Sequence, residues 1–314
     1  MIRKVAVLGA GTMGHGIAES FALHAYDVVL YDTDIARLNA AKLEIKAELE
    51  LLAEEDFISP QEVQPTLDRI QLHVELLGAV QDRDYVIEAV PEIIGLKQQL
   101  FRQLDEYCPQ HTVLASNTSS LKLNDMMALV SAERKQRMIV NHWYNPAHLM
   151  PIIEMSFFGN MPAAIYDEVD TLYRSLDKQI VKVLKDVPGL VANRIQQGVA
   201  REAFSLIEQG IASPEDVDKA IKFGPAFRYA TTGQLEVADF GGLDIWCTVG
   251  DNLLPAMDNS QQANPVLRQM VAQGRLGIKS GEGFFKYEAA DIPSIKNKFM
   301  RKLIRQLKTS AFYV

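Results

Sequence analysis

The sequence predicts an α/β fold in which a doubly wound, mostly parallel sheet is followed by an all-helical domain. Short apolar runs alternate with helical patterns between residues 4 and 184, and this alternation is typical of a parallel sheet with helices on both faces. The run Asp186-Val187-Pro188-Gly189 has the composition of a linker, and apolar residues beyond it recur with the helical period. We therefore predict an α/β domain over residues 1–187, a helical domain over 188–290 and a basic amphipathic helix over 291–314.

The first element joins a buried strand to a glycine-rich turn. Val5-Ala6-Val7-Leu8 leads into Gly9-Ala10-Gly11-Thr12-Met13-Gly14, spaced G-x-G-x-x-G, and residues 15–24 continue with a helical pattern. This order favours a dinucleotide, because the free N–H groups and the positive end of the helix face the pyrophosphate. We expect this Rossmann-type site to be lined by Gly9, Gly11, Thr12, Met13 and Gly14. A purely structural turn is the alternative.

An acidic residue ends the second predicted strand. Asp32 follows the apolar run of residues 28–31 and lies about 20 residues after the glycines, where a carboxylate bonds both ribose hydroxyls of NAD. A 2′-phosphate would be repelled there, so we predict NAD rather than NADP. The alternative is that this acid caps the helix whose segment starts at Asp34.

The helix predicted over residues 34–55 has an apolar and an acidic side. Its apolar positions are Ile35, Leu38, Leu43, Leu49 and Leu52. Its acidic positions, with the residue that follows the helix, are Glu44, Glu48, Glu50, Glu54, Glu55 and Asp56. Such a run is ordinarily a solvated face, although it bears on the substrate because acidic side chains repel phosphate.

The remaining α/β pattern contains six further strands. We predict strands over residues 69–74, 85–90, 112–116, 137–142, 151–155 and 179–184, helices over 93–107 and 162–176, and a short helix from Ser59-Pro60. Polar residues end two of these strands, at Asn117-Thr118-Ser119-Ser120 and at His142, where open α/β sheets bind ligands. In the helical domain we expect a helix over 190–209 and another that Ser213 caps.

Composition and charge exclude several classes of protein. The chain has 314 residues, of which 48% are hydrophobic and 23% charged, as is ordinary for a globular protein. Its formal net charge of −8 argues against nucleic-acid binding, which needs a basic face. No apolar run is long enough to cross a bilayer, and the chain enters its first strand too early for a signal peptide. We expect a cytoplasmic protein.

The cysteines and histidines give no metal spacing. Cys108 and Cys247 lie far apart, and we expect both to be buried apolar thiols. None of the six histidines has a partner at zinc-ligand spacing, so no metal is predicted. His142 is set apart because Glu154 lies on the next strand, and a carboxylate beside an imidazole makes a general base. A structural histidine is the alternative.

Seven segments together resemble the L-3-hydroxyacyl-CoA dehydrogenase family. They occur in the order typical of the family and fall on both predicted domains. They are GAGTMGHGIA from Gly9, VIEAVPE from Val86, SNTSSL from Ser116, HWYNP from His142, MPIIEM around Glu154, DVPGLVANR ending at Arg194 and GIKSGEGFFKY ending at Tyr287. The resemblance implies an NAD-dependent oxidoreductase that converts an L-3-hydroxyacyl substrate into the 3-keto product, as in fatty acid metabolism.

The resemblance also implies roles for single residues. His142 is expected to take the proton of the substrate hydroxyl as hydride leaves for the nicotinamide, and Glu154 to orient it. Ser120 would contact the reacting oxygen and Asn193 the acyl carbonyl, in a cleft between the domains. Further residues are expected to line the cofactor site: Glu92, Lys97, Asn117, Asn145 and Lys279. For the two lysines, a solvated surface position is the alternative.

Three departures from the family pattern concern the substrate. The stretch 44–56 is acidic, where CoA-binding members carry hydroxyl and lysine contacts to the nucleotide. Trp143 is bulky enough to narrow the pocket. The run Phe223–Tyr229 resembles members that act on small free hydroxy acids, such as L-gulonate and L-carnitine dehydrogenases. There Arg228 would hold a carboxylate through two N–H donors, with a surface or interface arginine as the alternative. The CoA thioester is the leading substrate and a free 3-hydroxy carboxylate the second.

The chain continues past Tyr287 with a basic segment. Its cations are Lys296, Lys298, Arg301, Lys302, Arg305 and Lys308. We expect this helix to pack on an acidic surface of its own chain or a partner rather than on a membrane. Homodimers through the helical domain are common in the family, and we expect one here. A non-catalytic protein on this fold, crystallin-like or NAD(H)-sensing, is a further alternative, against which His142, Glu154 and Asn193 argue.

Overall fold

The computed structural model describes residues 2–310. The chain divides into two compact units, Met1–Ala192 and Asn193–Val314, so the division follows shortly after the linker run at 186–189. Within the described residues, no helix combines the length and the apolar composition that crossing a membrane requires.

The first unit contains an eight-stranded sheet. Its strands are β1 (Lys4–Leu8), β2 (Asp27–Tyr31), β3 (Ile70–His73), β4 (Tyr85–Glu88), β5 (Val113–Ser116), β6 (Met138–Trp143), β7 (Ile152–Ser156) and β8 (Gln179–Val183). They lie in the order β3-β2-β1-β4-β5-β6-β7-β8, and all neighbours are parallel except β6 and β7. The chain order reverses at β1, which is the point where doubly wound sheets bind their ligands. The predicted α/β fold is confirmed.

Eight α-helices accompany this sheet. They are α1 (Gly14–Leu23), α2 (Ile35–Glu54), α3 (Val63–Asp68), α4 (Leu76–Val80), α5 (Ile94–Tyr107), α6 (Leu123–Met126), α7 (Ala132–Lys135) and α8 (Ala163–Arg174). Strands β1, β4 and β5 are buried along almost their whole length, because helices cover both faces of a parallel sheet. A short 3-10 helix, Pro60–Glu62, carries the capping box that Ser59 begins.

The described part of the second unit is helical. Its helices are α9 (Ala192–Glu208), α10 (Pro214–Phe223), α11 (Pro225–Tyr229), α12 (Gln234–Gly241), α13 (Leu243–Leu253), α14 (Pro265–Ala272) and α15 (Ile292–Ser310); α9 begins on the last residue of the first unit. Ser213 caps α10 by accepting from the N–H of Asp216, as its sequence predicts. Helix α15 carries the basic segment, and its Ile304 is buried. Residues 311–314 of the predicted tail lie outside the described part.

Two of the apolar positions of α2 are exposed, and the predicted burial of Cys247 is wrong. In α2 the buried face is formed by Leu38, Ala41, Ile45, Leu49 and Leu52. Leu43 is exposed because it lies two residues from both Ala41 and Ile45 and therefore points to the opposite side. Ile35, the first residue of the helix, is exposed as well. Cys108 is buried as expected, but Cys247, on α13, is exposed.

The prediction that Trp143 narrows a substrate pocket is also wrong. Trp143 follows His142 on β6, and successive side chains of a strand point to opposite faces of the sheet. The indole is 2% exposed and packs in the core at 5.5 Å from the ring of Tyr173 and 5.9 Å from that of Phe21. Its role is therefore to fill the core.

Candidate active site

The glycine loop has the close packing that the motif requires. Gly9 has a φ of 102°, and a Cβ there would lie 2.8 Å from the carbonyl oxygen of Ala89. A Cβ on Gly14 would lie 1.7 Å from the carbonyl oxygen of Gly9. Both positions therefore exclude a side chain. Gly11 differs, since a Cβ there would have only the Arg37 guanidinium nearby, at 3.7 Å, so the space beside it is open to a ligand.

The loop offers donors that a pyrophosphate can use. Within the described residues, we find no protein acceptor for the backbone N–H groups of Thr12 and Met13, which precede α1. Free N–H groups at the N-terminus of a ten-residue helix suit a bound anion. The loop therefore fits the phosphates of a dinucleotide.

Asp32 is held beside the glycine loop. Its Oδ2 accepts from the N–H of Ala10 at 2.9 Å, and its Oδ1 accepts from the N–H of Asp34 at 3.1 Å. The cap of α2 is Asp34, whose side chain accepts from the N–H of Ala36 at 2.8 Å. Asp34, and not Asp32, therefore caps α2. Asp32 stands at the carboxyl end of β2, where ribose-binding acids occur.

His142 and Glu154 form a buried pair on adjacent strands. They face each other directly in the antiparallel register of β6 and β7, and His142 Nδ1 lies 2.8 Å from Glu154 Oε2. The other carboxylate oxygen, Oε1, accepts from the N–H groups of Val191 and Ala192, both at 2.8 Å. Burial alone would raise the pKa of Glu154, but these three hydrogen bonds lower it below its usual value. The carboxylate is therefore ionised, and its partner ring has a fixed orientation.

Glu92 organises the polar loop after β5. Its Oε1 accepts from the N–H groups of Ser119 and Ser120 at 3.1 Å and from the hydroxyl of Ser120 at 2.9 Å. The hydroxyl of Thr118 donates to the same oxygen. Burial opposes the ionised form of Glu92, but these bonds and the charge of Lys97 outweigh it and lower its pKa to about 2. Ser120 is thus held by Glu92, at the position expected to approach the substrate.

Lys97 is buried, which excludes the solvated alternative for it. Its side chain is 1% exposed, and its Nζ lies 2.7 Å from Glu88 Oε1 and 3.0 Å from Glu92 Oε2. Glu88 is fully buried and also accepts from the hydroxyl of Ser116. The ammonium therefore balances the charge of two carboxylates, one at the end of β4 and one in the loop that follows it. Sequence reasoning missed Glu88, whose signal is a carboxylate at the end of an otherwise apolar strand.

The other predicted residues of the first unit lie around the same strand ends. Asn117 Oδ1 accepts from the N–H of Trp143 at 2.8 Å, which ties the loop after β5 to β6. Asn145 is exposed and precedes a cis peptide bond to Pro146. The ring of Tyr144 lies 5.3 Å from that of His142. Burial and the charge of Glu154 raise the pKa of Tyr144 to about 12, so its hydroxyl is neutral.

Three predicted residues belong to the second unit. Asn193 is half-buried in the first turn of α9. Arg228 is exposed on α11. Lys279 is exposed between residues 277 and 282, which form an isolated β-bridge.

These features together define a dinucleotide-dependent dehydrogenase with a histidine–carboxylate pair. The family described as 3-hydroxyacyl-CoA dehydrogenase, NAD binding domain, matches residues 4–187, and the family described as its C-terminal domain matches residues 189–287. The chain belongs to the 3-hydroxyacyl-CoA dehydrogenase family and is an oxidoreductase that uses NAD.

Relatives of two substrate types are similar to the chain. A 5-formyl-3-hydroxy-2-methylpyridine 4-carboxylate 5-dehydrogenase of Mesorhizobium japonicum is 33% identical over 97% of both chains. A solved structure of such a dehydrogenase, described as an NAD+-dependent dismutase, has a TM-score of 0.90 at 32% identity over 99% of both chains. The mitochondrial hydroxyacyl-coenzyme A dehydrogenase of Homo sapiens is 32% identical over 92% of both chains. The solved (S)-3-hydroxybutyryl-CoA dehydrogenase of Ralstonia eutropha has a TM-score of 0.74 at 31% identity, over 92% of this chain and all of that one.

Proposed function

We propose that the protein oxidises the hydroxyl-bearing carbon of a small, free carboxylate substrate, with His142 as the general base. The observation that carries the base assignment is the bond of 2.8 Å between His142 Nδ1 and Glu154 Oε2. An ionised carboxylate only accepts hydrogen bonds, so Nδ1 carries the proton and Nε2 presents a lone pair.

The reaction needs one proton acceptor and a hydride acceptor. NAD supplies the hydride acceptor when bound. With NAD bound, His142 Nε2 would take the hydroxyl proton as the C–H bond of the same carbon gives up its hydride, which would leave a carbonyl on the substrate and a protonated imidazole. Glu154 balances the charge of the imidazolium. The base works equally on a secondary alcohol and on a hydrated aldehyde, since both present a hydroxyl and a C–H on one carbon.

Two observations favour a free carboxylate substrate over a CoA thioester. The sequence motifs alone favour the thioester instead. Helix α2 presents exposed Glu44 and Glu50, and such carboxylates repel the phosphates of a CoA nucleotide. The solved pyridine-carboxylate dehydrogenase also has the higher TM-score, 0.90 against 0.74 for the 3-hydroxybutyryl-CoA dehydrogenase of Ralstonia eutropha. Arg228 is the residue we propose to hold the substrate carboxylate.

A CoA thioester is the second candidate. The match of both domains to the 3-hydroxyacyl-CoA dehydrogenase family favours it. NADH oxidation assays distinguish the thioester from the free carboxylate. The substrates to compare are acetoacetyl-CoA, free 3-keto acids and aromatic aldehydes that carry a carboxylate. We expect turnover of free carboxylates and at least about 100-fold lower kcat/KM with the thioester. Turnover of the thioester alone would contradict the free-acid proposal.

The base assignment has its own test. His142→Gln is expected to lower kcat by about 100- to 10,000-fold, which is the usual contribution of a general base, while NADH binding measured by fluorescence stays near normal. The control is His111→Gln, an exposed histidine of the same unit. Undiminished turnover in the His142 variant would show that another group is the base.

A further inference from the structure

A cluster of buried polar atoms without hydrogen-bond partners lies between α1, α2 and the loop after β6. In the described part of the chain, both carboxylate oxygens of Glu19, Oε2 of Glu48 and Nδ1 of His148 lack a partner. Glu19 is fully buried, and the side chain of His148 is only 4% exposed. Leaving a buried carboxylate without donors is costly, and burial together with the charge of Glu48 raises the pKa of Glu19 well above its usual value, so this site takes up either a proton or a cation.

The two neighbouring basic side chains, Lys178 and His15, do not supply the missing hydrogen bonds to Glu19. Lys178, which is also buried, donates from Nζ to the carbonyl oxygens of Ala147 and Met150, both at 2.9 Å. His15 lies against the other oxygen of Glu48, Oε1, at 3.3 Å and is tied to the carbonyl oxygen of Gly11 at 2.9 Å. Lys178 reduces the negative charge of the cluster, but in the described part of the chain we find no hydrogen bond from either side chain to Glu19.

The geometry of the three side chains suits a metal ion. One ligand atom from each of Glu19, Glu48 and His148 lies within 4.8 Å of the others. His148 Nδ1 is 3.6 Å from Glu48 Oε2 and 3.9 Å from Glu19 Oε2. In a tetrahedral zinc site with bonds of about 2.1 Å, neighbouring ligand atoms are roughly 3.4 Å apart. A small decrease in the distances between these ligand atoms would therefore give tetrahedral coordination, with water as the fourth ligand.

The backbone around these ligands is tightly packed. A Cβ on Gly16 would lie 3.3 Å from Ala147 Cβ and 3.4 Å from His148 Nδ1, so α1 and the loop that carries His148 are in close contact. Ligands held by a rigid frame lose little freedom when a metal binds. Imidazole together with carboxylates is a donor set that first-row divalent cations accept.

We propose that Glu19, Glu48 and His148 bind a divalent transition-metal ion, with Zn²⁺ as the best fit. The ion would join α1, which follows the glycine loop, to the loop that follows His142, and would serve stability rather than the chemical step. This differs from the absence of a metal expected from local spacing. That expectation considered only short spacings, whereas these ligands come from three separate elements.

The test is metal binding by the full chain after dialysis against a chelator. Zn²⁺ titrated by calorimetry is expected to bind once per chain and to raise the melting temperature. Loss of an outer-shell partner typically weakens metal binding about 10- to 100-fold, and a direct ligand matters more. Glu19→Gln and His148→Gln should therefore weaken Zn²⁺ binding by more than about 100-fold and abolish the rise in melting temperature.

Matched controls exclude binding elsewhere. Glu50→Gln and His111→Gln replace exposed residues of the same types, and Cys247→Ser removes the exposed thiol; all three should bind Zn²⁺ like the wild type. If Glu19→Gln does not fold, Glu48→Gln takes its place, since Glu48 is 20% exposed. Wild-type protein that binds neither Zn²⁺ nor Co²⁺, or ligand variants that bind as tightly as the controls, would overturn the proposal.

Discussion

Glu154 uses its two oxygens for different partners, and this division determines the proton position on His142. Oε2 faces His142 Nδ1 at 2.8 Å, while Oε1 accepts from two backbone N–H groups at the start of α9. Because the second oxygen is fixed by the backbone, the side chain has no freedom to rotate away. The imidazole is therefore held with Nδ1 protonated and Nε2 available as a base.

Because of this arrangement, Glu154→Gln should strongly reduce activity, although glutamine and glutamate have nearly the same shape. The amide oxygen must accept from the N–H groups of Val191 and Ala192, which turns the NH₂ group toward His142. Nδ1 then becomes an acceptor and Nε2 carries the proton, which is the wrong tautomer for a base. We expect kcat to fall about 100- to 10,000-fold with little change in KM or in NADH affinity. Steady-state kinetics of Glu154→Gln, with Glu50→Gln as the control, test this prediction. A wild-type kcat in Glu154→Gln would contradict the orienting role of Glu154.

Lys97→Met is expected to destabilise the first unit strongly. The substitution keeps an unbranched side chain of similar length but leaves Glu88 buried without its cation, and breaking a buried pair in this way costs about 3–5 kcal/mol. Burial already raises the pKa of Glu88 despite the opposing effect of Lys97 and Ser116. The carboxyl of the variant should therefore take up a proton more readily, and its deficit should shrink as the pH falls toward 5, where the stabilising neutral form is populated.

Urea unfolding of Lys97→Met at about pH 5 and pH 8 measures this deficit. Lys46→Met, at an exposed lysine of α2, is the control and should be nearly neutral. The double variant Lys97→Met/Glu88→Gln should regain part of the loss, since the fully buried carboxylate of Glu88 is then replaced by a neutral amide. A deficit that is the same at both pH values would show that packing rather than the charge of Glu88 accounts for it.

How much of this site the sequence predicts depends on whether an interaction follows from strand register or from tertiary packing. The pairing of His142 with Glu154 follows from the register of two neighbouring strands, and the position of Asp32 follows from one βαβ unit, so both can be inferred from spacing. The burial of Lys97 does not follow from spacing, although Glu88 lies only nine residues before it, because a lysine is ordinarily exposed and its burial depends on how α5 packs against the sheet. For Trp143, proximity in sequence led to a wrong prediction. Its proximity to His142 in sequence suggested a place in the pocket, whereas strand alternation puts it in the core.

Glu92 is expected to link stability to pH. Its pKa is about 2 in the folded protein against a usual 4.5, so its ionised form stabilises the fold above about pH 4.5 and this stabilisation is lost as the pH falls toward 2. The difference in unfolding free energy between wild type and Glu92→Gln should be largest near neutral pH and decrease steadily below pH 4.5. Urea unfolding between about pH 3 and pH 7, with Glu50→Gln as control, measures it. A difference independent of pH would contradict ionisation as its cause.

The second unit is expected to form a homodimer. Leu235 and Phe240 on α12 and Phe223 on α10 are each more than three-quarters exposed, at 83%, 82% and 77%, and large apolar side chains exposed in this number mark an interaction surface. In a twofold interface each position occurs twice, so Leu235→Asp would place two charges in an apolar contact. We expect a dimer for the wild type and a monomer for Leu235→Asp by light scattering with size-exclusion chromatography. Leu43→Asp, at an apolar position of α2 in the first unit that is 69% exposed, should remain dimeric. A monomeric wild type would contradict the proposed homodimer.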